Sequence, residues 1–471
     1  MLFNSLEFLI FFLLSLVFYY GIHPRYRTGL LMLASWYFYG FWDLRFLCLV
    51  IFSTAANYFF GLFIQESATK ERKRAWLVMG TITNLSLLGC FKYLNFFMET
   101  LSAVVSAMGF EADLPLLKIM LPIGVSFYTF QAIGYTMDVY HEKIHACKNF
   151  FQFGAFLSFF PLLLAGPIER ASHLLPQLQR GNRPTSQTLI AGSCLFVWGL
   201  FKKIVIADNL SPLSDLVFGS DRLQPLDTGL ALLGAYAYTF QIYCDFSGYT
   251  DMARGAAKFF GIDLTPNFNR PYLAESIRDF WRRWHISLSS WFRDYLYIPL
   301  GGNRGGRWST RRNLFLTMTL CGLWHGASWM YVLWGVYHAI LMILERSPIG
   351  SHWIGARRST WVKRIVTFQL IALGWVIFRS PDLQVLTHWG RMLLSVCARP
   401  DYYSLWLYLL FFISPLFVAS WFSRAFMKKN VPDPSISWGG RVFASVMMTL
   451  VYLGIMIYGA DQARAFIYFQ F

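Results

Sequence analysis

The sequence is poor in charge and lacks the cysteine and histidine spacings of common metal sites. Charged residues make up only 14% of its 471 residues, while 56% are hydrophobic; soluble domains carry about 25% charged residues. This balance argues against a soluble globular protein and indicates a polytopic membrane protein. The seven cysteines occur singly within apolar runs and form no CxxC motif, which argues against a disulfide framework or a zinc ribbon.

Apolar segments fill most of the chain. A bilayer span takes about 20 apolar residues, and by that measure roughly a dozen segments qualify, so no soluble module of any size is left over. Some of these segments are expected to be half-spans or re-entrant. Their centres lie near residues 13, 34, 55, 85, 128, 158, 197, 237, 319, 336, 371, 414 and 450.

The formal charge of +16 arises from basic clusters in alternate loops. By the positive-inside rule this pattern places the clusters in the cytosol and the N-terminus outside. Nucleic-acid binding is not expected, because no basic helix or aromatic-basic platform lies outside the apolar segments. Residues 1–7 carry an acid and no base, so residues 8–20 are expected to be a retained helix and not a cleaved signal peptide. The basic clusters are Arg25 with Arg27, residues 70–74, Lys143 with Lys148, residues 304–312 and residues 357–364.

Two apolar segments in the central third contain helix breakers. Pro122, Gly124 and Gly134 interrupt residues 121–140, and a Gly-Pro pair breaks "FPLLLAGPIER" at residues 160–170. The second segment is predicted to be a re-entrant or broken helix. Irregular backbone at membrane depth is tolerated where protein shields it or where it lines a wet cavity. A functional site is therefore expected in the central third of the chain.

Two polar stretches follow in that region. In "QIYCDFSGYTDMARG" (241–255), Gln241 and Asp245 share a helix face, and Ser247 lies nearby. The carboxylates there fit a simple interfacial position or, if buried, a functional site. The loop "LGGNRGGRWSTRRN" (300–313), with Arg304 and Arg307, matches neither the dinucleotide fingerprint nor the P-loop. It is interpreted as a cytosolic turn that is able to approach a nucleotide-bearing donor.

Residues 276–297 are predicted to form one amphipathic helix with an aromatic face and a cationic face. The helix suits anionic lipid headgroups if the cationic face lies on the membrane surface. If that face turns inward, its arginines suit the anionic part of a donor substrate. The aromatic face comprises Trp281, Trp284, Leu288, Trp291 and Tyr295, and the cationic face comprises Arg278, Arg282, His285, Ser289 and Arg293.

His325, in "CGLWHGASW" (321–329), lies in a stretch almost free of charge. Apart from thiols and phenols, His325 and His338 are the ionisable side chains of residues 314–344. A packing role is one interpretation. The other is a general base, because burial disfavours the charged imidazole, Gly322 and Gly326 leave room beside the ring, and Trp324 excludes water. His338 is expected to be structural. No zinc site is expected, because these histidines and His285 show no HExxH or HxxxH spacing.

These motifs resemble the membrane-bound O-acyltransferases, and within them the bacterial alginate and peptidoglycan O-acetyltransferase branch. The resemblance covers essentially the whole chain. It implies an all-α polytopic helical bundle, with re-entrant or broken helices around a central tunnel. The matching stretches are "MLFNSLEFLIFF", "LPIGVSFYTFQAIGY", "AGPIERASHLLPQL", "YCDFSGYTDMARG", "FWRRWHISLSSWFRDYLYIPLGGNRGG", "LTMTLCGLWHGASW" and "FIYFQF".

The resemblance also implies roles for particular residues. His325 corresponds to the catalytic histidine of the family, and His285 to a second polar position. A cytosolic rim of Arg278, Arg282, Arg304 and Arg307 is expected to receive the phosphates of acetyl-CoA, the expected thioester donor; no bound cofactor or metal is expected. The candidates for stabilising the oxyanion or lining the tunnel are Gln241, Asp245, Ser247, Trp324 and Ser328.

The expected organisation is a single membrane domain over residues 1–471, with N-terminal helices (1–115), a catalytic core (116–345) and C-terminal helices (346–471). The expected location is the bacterial inner membrane, among its lipids. A periplasmic acetylesterase-like partner is expected to deliver the acetyl group to an exported polysaccharide: alginate, peptidoglycan or another exopolysaccharide. Two alternatives stay open: a transporter or flippase of an acyl or saccharide carrier, and an acyltransferase that acts on a lipid or protein.

Overall fold

The computed structural model of the chain is helical nearly throughout the residues that it describes. These are residues 1–110, 120–164, 166–181, 183–219, 227–348, 350, 359–395, 399–428, 431–432, 438–460 and 464–467. The predicted all-α membrane fold is confirmed; within those ranges the strands are a two-residue pair, β1 (Met427–Lys428) and β2 (Val431–Pro432). The "FIYFQF" motif extends beyond the described residues.

The chain divides into two compact units. Unit 1 contains Met1–Pro184, Ala257–Thr265 and Gly326–Ser328. Its helices are α1 (Leu6–Gly21), α2 (Arg27–Gly40), α3 (Leu44–Glu66), α4 (Lys70–Leu88), α5 (Leu94–Ala107), α6 (Val125–Tyr140), α7 (Phe150–Ser158), α8 (Phe160–Leu163) and α9 (Ala171–Arg180).

Unit 2 contains Thr185–Ala256, Pro266–His325 and Trp329–Phe471. Its helices are α10 (Ser186–Phe201), α11 (Asp208–Phe218), α12 (Thr228–Phe259, to Ala256), α13 (Ile277–Arg283), α14 (Ile286–Phe292), α15 (Gly306–His325), α16 (Trp329–Glu345), α17 (Thr360–Arg379), α18 (Leu383–Leu394), α19 (Tyr403–Phe426) and α20 (Trp438–Tyr458). The predicted boundaries near residues 115 and 345 stay a prediction.

Several helical stretches are long and apolar enough to cross a membrane, which makes the chain a multi-pass membrane protein. Within the described ranges there are five: Leu44–Glu66, Lys70–Ala107, Ser186–Phe218, Thr360–Arg379 and Pro400–Ser420. Shorter apolar helices accompany them, among them Leu6–Gly21 and Trp329–Glu345. Large apolar side chains cover their outer surfaces, as expected where lipid is the solvent.

The break predicted within residues 160–170 is present. The short helix α8 ends at Leu163, irregular backbone follows, and α9 begins at Ala171. In the segment 121–140, Gly124 takes the left-handed conformation (φ +77°) directly before α6, which then runs through Gly134 without interruption. A Cβ at Gly124 would lie 2.0 Å from the carbonyl oxygen of Leu163, so the two irregular segments touch each other.

The prediction of one continuous helix over residues 276–297 is wrong. Trp284 is extended and His285 is left-handed (φ 44°), so the chain turns between α13 and α14. Asn267 stabilises the turn: its carbonyl oxygen accepts from the N–H of Ile286 (2.9 Å), and its Oδ1 accepts from the hydroxyl of Ser287 (2.6 Å). All five residues of the predicted aromatic face are nevertheless buried.

Candidate active site

His325 is the last residue of α15, and aromatic rings enclose it. Its side chain is 3% exposed. Its ring centroid lies 5.1 Å from that of Trp324, 5.1 Å from that of Trp334 on α16, and 5.4 Å from that of Phe378 on α17, each in an edge-to-face arrangement. Three aromatic rings thus border the imidazole of His325.

His285 belongs to the same aromatic cluster. It is completely buried, and its ring centroid lies 4.7 Å from that of Phe246 on α12 and 6.0 Å from that of Trp324. The Trp324 indole therefore contacts both imidazoles. The prediction that His285 shares a cationic face with Arg278, Arg282 and Arg293 is wrong, because the turn before α14 carries it inward while the three arginines stay exposed.

Gly322 does not leave room beside the imidazole, as the sequence suggested. A Cβ at Gly322 would lie 2.2 Å from the carbonyl oxygen of Tyr331, and one at Gly335 would lie 2.4 Å from that of Met318. The two glycines thus let α15 and α16 pack backbone to backbone. This close crossing holds the end of α15, and with it His325, against α16.

The polar residues of α12 have different surroundings. Asp245 is 2% exposed; it accepts from the Lys203 ammonium (2.7 Å) and from the backbone N–H of Ile467 (2.8 Å). The hydroxyl of Ser247 accepts from the Lys202 ammonium (2.9 Å). In the described part of the chain, the side-chain oxygen of buried Gln241 has no hydrogen-bond partner. Asp245 and Ser247 are therefore held by lysines, while Gln241 keeps a free acceptor.

The buried lysines are residues that the sequence analysis missed. Lys203 also donates to Asp208 (2.8 Å), and Lys202 donates to Asp251 (2.7 Å). Both lysines lie in a π turn (Lys202–Ala207) between α10 and α11. The signal was two adjacent cations within an apolar segment, because ionisable residues at membrane depth are costly unless they are paired.

The four predicted donor-binding arginines are exposed. Two hydrogen bonds bring their segments to the end of α16: Glu345 accepts from the N–H of Arg278 (3.1 Å), and Arg346 donates to Asn303 in the glycine-rich loop (3.0 Å). Arg307 lies at the start of α15, and the 18-residue rise from there to His325 is about 27 Å. The end of unit 2 that carries Arg278, Arg304 and Arg307, hereafter its arginine-rich end, is thus one helix length away from His325.

Unit 1 contains a separate polar cluster around Glu169. This buried carboxylate accepts from the hydroxyl of Thr265 (3.1 Å), and its Oε2 lies 2.9 Å from Nδ1 of His173. The hydrogen bond to Glu169 raises the pKa of His173 above its usual value. Ser328 is also placed in unit 1, where its N–H donates to the carbonyl oxygen of Gly326 (3.0 Å); its predicted role stays a prediction.

Comparisons with known proteins agree with this architecture. The sequence model of the membrane-bound O-acyltransferase family matches residues 142–350. The probable alginate O-acetylase AlgI of Pseudomonas aeruginosa is 45% identical over 82% of this chain and 73% of its own length. Its counterpart in Pseudomonas putida is 39% identical over 100% of both chains. The chain belongs to the membrane-bound O-acyltransferase family.

Another relative is the peptidoglycan O-acetyltransferase of Helicobacter pylori, which is 38% identical over 78% of this chain and 73% of its own length. Membership of the family makes the chain a multi-pass membrane acyltransferase. The family match over residues 142–350 includes both histidines of the site, His285 and His325, the buried lysines and the four predicted donor-binding arginines. All of these residues belong to unit 2.

Proposed function

We propose that this acyltransferase is an O-acetyltransferase of the bacterial inner membrane that serves an exported cell-envelope polysaccharide. Support comes from relatives named for the O-acetylation of alginate and of peptidoglycan. The observation that carries the proposal is the placement of His325, a buried imidazole among aromatic rings at one end of α15, whose other end carries arginines. The donor is a cytosolic thioester, acetyl-CoA.

In the proposed reaction, neutral His325 takes the proton of an acceptor hydroxyl. The hydroxyl oxygen forms a bond to the thioester carbonyl carbon, and the C–S bond then breaks. The leaving thiolate takes the proton from the imidazolium, so the products are an acetyl ester and a free thiol. Proton and charge balance without a further reactant, and the histidine returns to its neutral form.

The tetrahedral intermediate needs a hydrogen-bond donor for its oxyanion. Asp245 is an ion-paired carboxylate and only accepts hydrogen bonds, so the candidate donors of the predicted set in unit 2 are the Gln241 amide, the Ser247 hydroxyl and the Trp324 indole N–H. In this proposal His285, whose ring centroid lies 6.0 Å from that of Trp324, orients the Trp324 indole. In the same scheme Arg278, Arg282, Arg304 and Arg307 bind the phosphates of the donor at the cytosolic end.

The acceptor side completes the proposal. The hydroxyl belongs to the polysaccharide or to a periplasmic acetylesterase-like partner that passes the acetyl group on to it. Alginate and peptidoglycan are the polymers named for the relatives, and either presents free hydroxyls outside the inner membrane.

The test is acetyl transfer by the purified protein in lipid nanodiscs. With radiolabelled acetyl-CoA, the acceptor polysaccharide and the partner protein, His325→Ala is expected to lower the rate of ester formation by about 10²–10⁴-fold, the usual contribution of a general base. The matched control is His141→Ala, an exposed histidine at the end of α6, which is expected to keep the wild-type rate.

Equal ester formation by His325→Ala and wild type would remove His325 from the mechanism. Movement of labelled carrier across the membrane without any ester formation by the wild type would instead support the transporter alternative.

A further inference from the structure

A third histidine of the aromatic cluster, His338, has no part in the reaction proposed above. It lies on α16 and is completely buried. Among the residues that the structure describes, neither of its ring nitrogens has a hydrogen-bond partner. A buried polar group without such a partner costs stability, and a phenylalanine or leucine at this position would avoid that cost. Within the described part of the chain, the contribution of His338 therefore comes from the packing of its ring and not from a hydrogen bond.

The ring of His338 is surrounded by indoles. Its centroid lies 4.8 Å from that of Trp334 and 5.1 Å from that of Trp281, with interplanar angles of 69° and 82°. Edge-to-face contacts at these distances allow an imidazole N–H or C–H to point at an aromatic face. A Cβ at Gly374 of α17 would lie 2.9 Å from Nε2 of His338, so the missing side chain of that glycine makes room for the ring.

Trp334 joins His338 to His325. It precedes His338 by four residues on α16, so both side chains lie on the same helix face. The same Trp334 ring lies 5.1 Å from the ring of His325, at an interplanar angle of 88°. One buried indole is thus in contact with two imidazoles.

We propose that His338 is a positioning residue, which fixes the Trp334 indole and through it the orientation of the His325 imidazole. The contact with Trp281 and the close approach to the backbone at Gly374 hold His338 itself in one place. A ring at position 338 is what the role requires; the charge of the imidazole is not part of it. The consequence for catalysis rests on the proposed role of His325 as the base.

The kinetic test compares substitutions of His338 in the wild-type protein and in the Trp334→Phe variant. His338→Ala is expected to lower kcat for acetyl transfer by about tenfold or more and to leave KM for acetyl-CoA unchanged, because misalignment of a base affects the chemical step. His338→Phe restores a ring and is expected to recover most of the lost turnover. In a Trp334→Phe background, His338→Ala is expected to cost less than about twofold, because the residue through which it acts has already changed.

A second measurement does not depend on the donor or the acceptor. The rate at which diethyl pyrocarbonate modifies His325 is followed by peptide mass spectrometry in wild type, His338→Ala and His338→Phe. A loosened Trp334 is expected to raise this rate severalfold in the alanine variant and not in the phenylalanine variant. The control for a general packing defect is Met392→Ala, a buried methionine of α18 in the same core, which is expected to change neither kcat nor the modification rate.

The outcomes separate the two proposals. Wild-type protein without acetyl transfer would overturn the proposed function, and the modification rates would still decide whether His338 holds the cluster. The positioning role would be overturned if the loss of kcat in the double variant equalled the product of the losses in His338→Ala and Trp334→Phe. Faster modification of His325 in Met392→Ala would also overturn it.

Discussion

Lys203 sets the charge balance of a buried cluster in unit 2. Its ammonium lies 2.8 Å from a carboxylate oxygen of Asp208 and 2.7 Å from one of Asp245, and its side chain is 7% exposed. One cation therefore faces two anions away from water. Removing one partner of a buried ion pair leaves an uncompensated charge in a medium that solvates it poorly.

We predict that Lys203→Met costs about 3–5 kcal/mol of stability, the usual cost of breaking a buried ion pair. The measurement is the thermal unfolding midpoint in detergent. The matched control is Lys73→Met, since Lys73 pairs with Glu142 at 2.8 Å and the two side chains are 25% and 75% exposed; an exposed pair contributes at most about 1 kcal/mol. Adding Asp245→Asn to Lys203→Met is expected to recover part of the loss. Equal effects of the two single lysine variants would contradict the prediction.

Such a cluster is difficult to predict from the sequence alone. Asp245 and Ser247 were recognised as polar residues of one segment, but their partners Lys203 and Lys202 lie about forty positions earlier. Spacing along a helix identifies neighbours within that helix. It does not show which of two distant segments pack together, so the ion pairs needed the structure.

At the scale of secondary-structure elements, the crossing of α15 and α16 decides where His325 lies. Gly322 and Gly335 let the two backbones touch, and even one methyl group at either position would overlap a carbonyl oxygen of the other helix. We predict that Gly322→Ala and Gly335→Ala each lower both the thermal midpoint and the rate of acetyl transfer, because the helices must separate and His325 moves away from Trp334. The measurements are thermal unfolding and the transfer assay.

The control for this prediction is Gly390→Ala on α18. A Cβ there would meet no atom within 4 Å, and a glycine replaced by alanine without strain typically gains about 0.4–1 kcal/mol. If the variants at 322 and 335 were as stable and as active as the one at 390, the close crossing would not be what positions His325.

The element that the sequence predicted least well is the segment 276–297. Its aromatic residues recur with helical spacing, and all of them are buried, so the periodicity did identify the buried side. The periodicity did not reveal the turn, because α13 and α14 bury the same kind of residue. The turn depends on Asn267, whose hydrogen bonds to Ile286 and Ser287 come from a distant part of the chain. For this reason His285 was assigned to a cationic surface and lies instead in the aromatic cluster.

At the scale of the whole molecule, composition and the length of apolar segments were sufficient to predict a multi-pass helical membrane protein. They were sufficient because, in lipid, helix formation is the simplest way to give every backbone N–H and C=O group a hydrogen bond. The direction of insertion rests on the basic loops alone. Unit 2 allows a direct test, since its described helices place particular loops a full helix length apart.

Arg304 and Gln384 are suited to that test. Arg346 bonds to Asn303, next to Arg304, and α16 also joins the start of α13 through Glu345. The start of α17 lies at the same end, because Arg364 pairs with Glu275 at 3.0 Å. The 20-residue helix α17 then rises about 28 Å before Gln384 is reached, close to the thickness of the hydrocarbon core. Both side chains are exposed.

We predict that cysteines placed at these two positions, in a background with the native cysteines replaced by alanine, are labelled from opposite sides of the membrane. In right-side-out vesicles an impermeant maleimide is expected to label Gln384→Cys at once and Arg304→Cys only after permeabilisation, because the positive-inside rule keeps the arginine-rich end in the cytosol. Labelling in the reverse order would place that end outside, where it would not meet a cytosolic thioester. The proposed direction of acetyl transfer would then fail, although the family and the fold would stand.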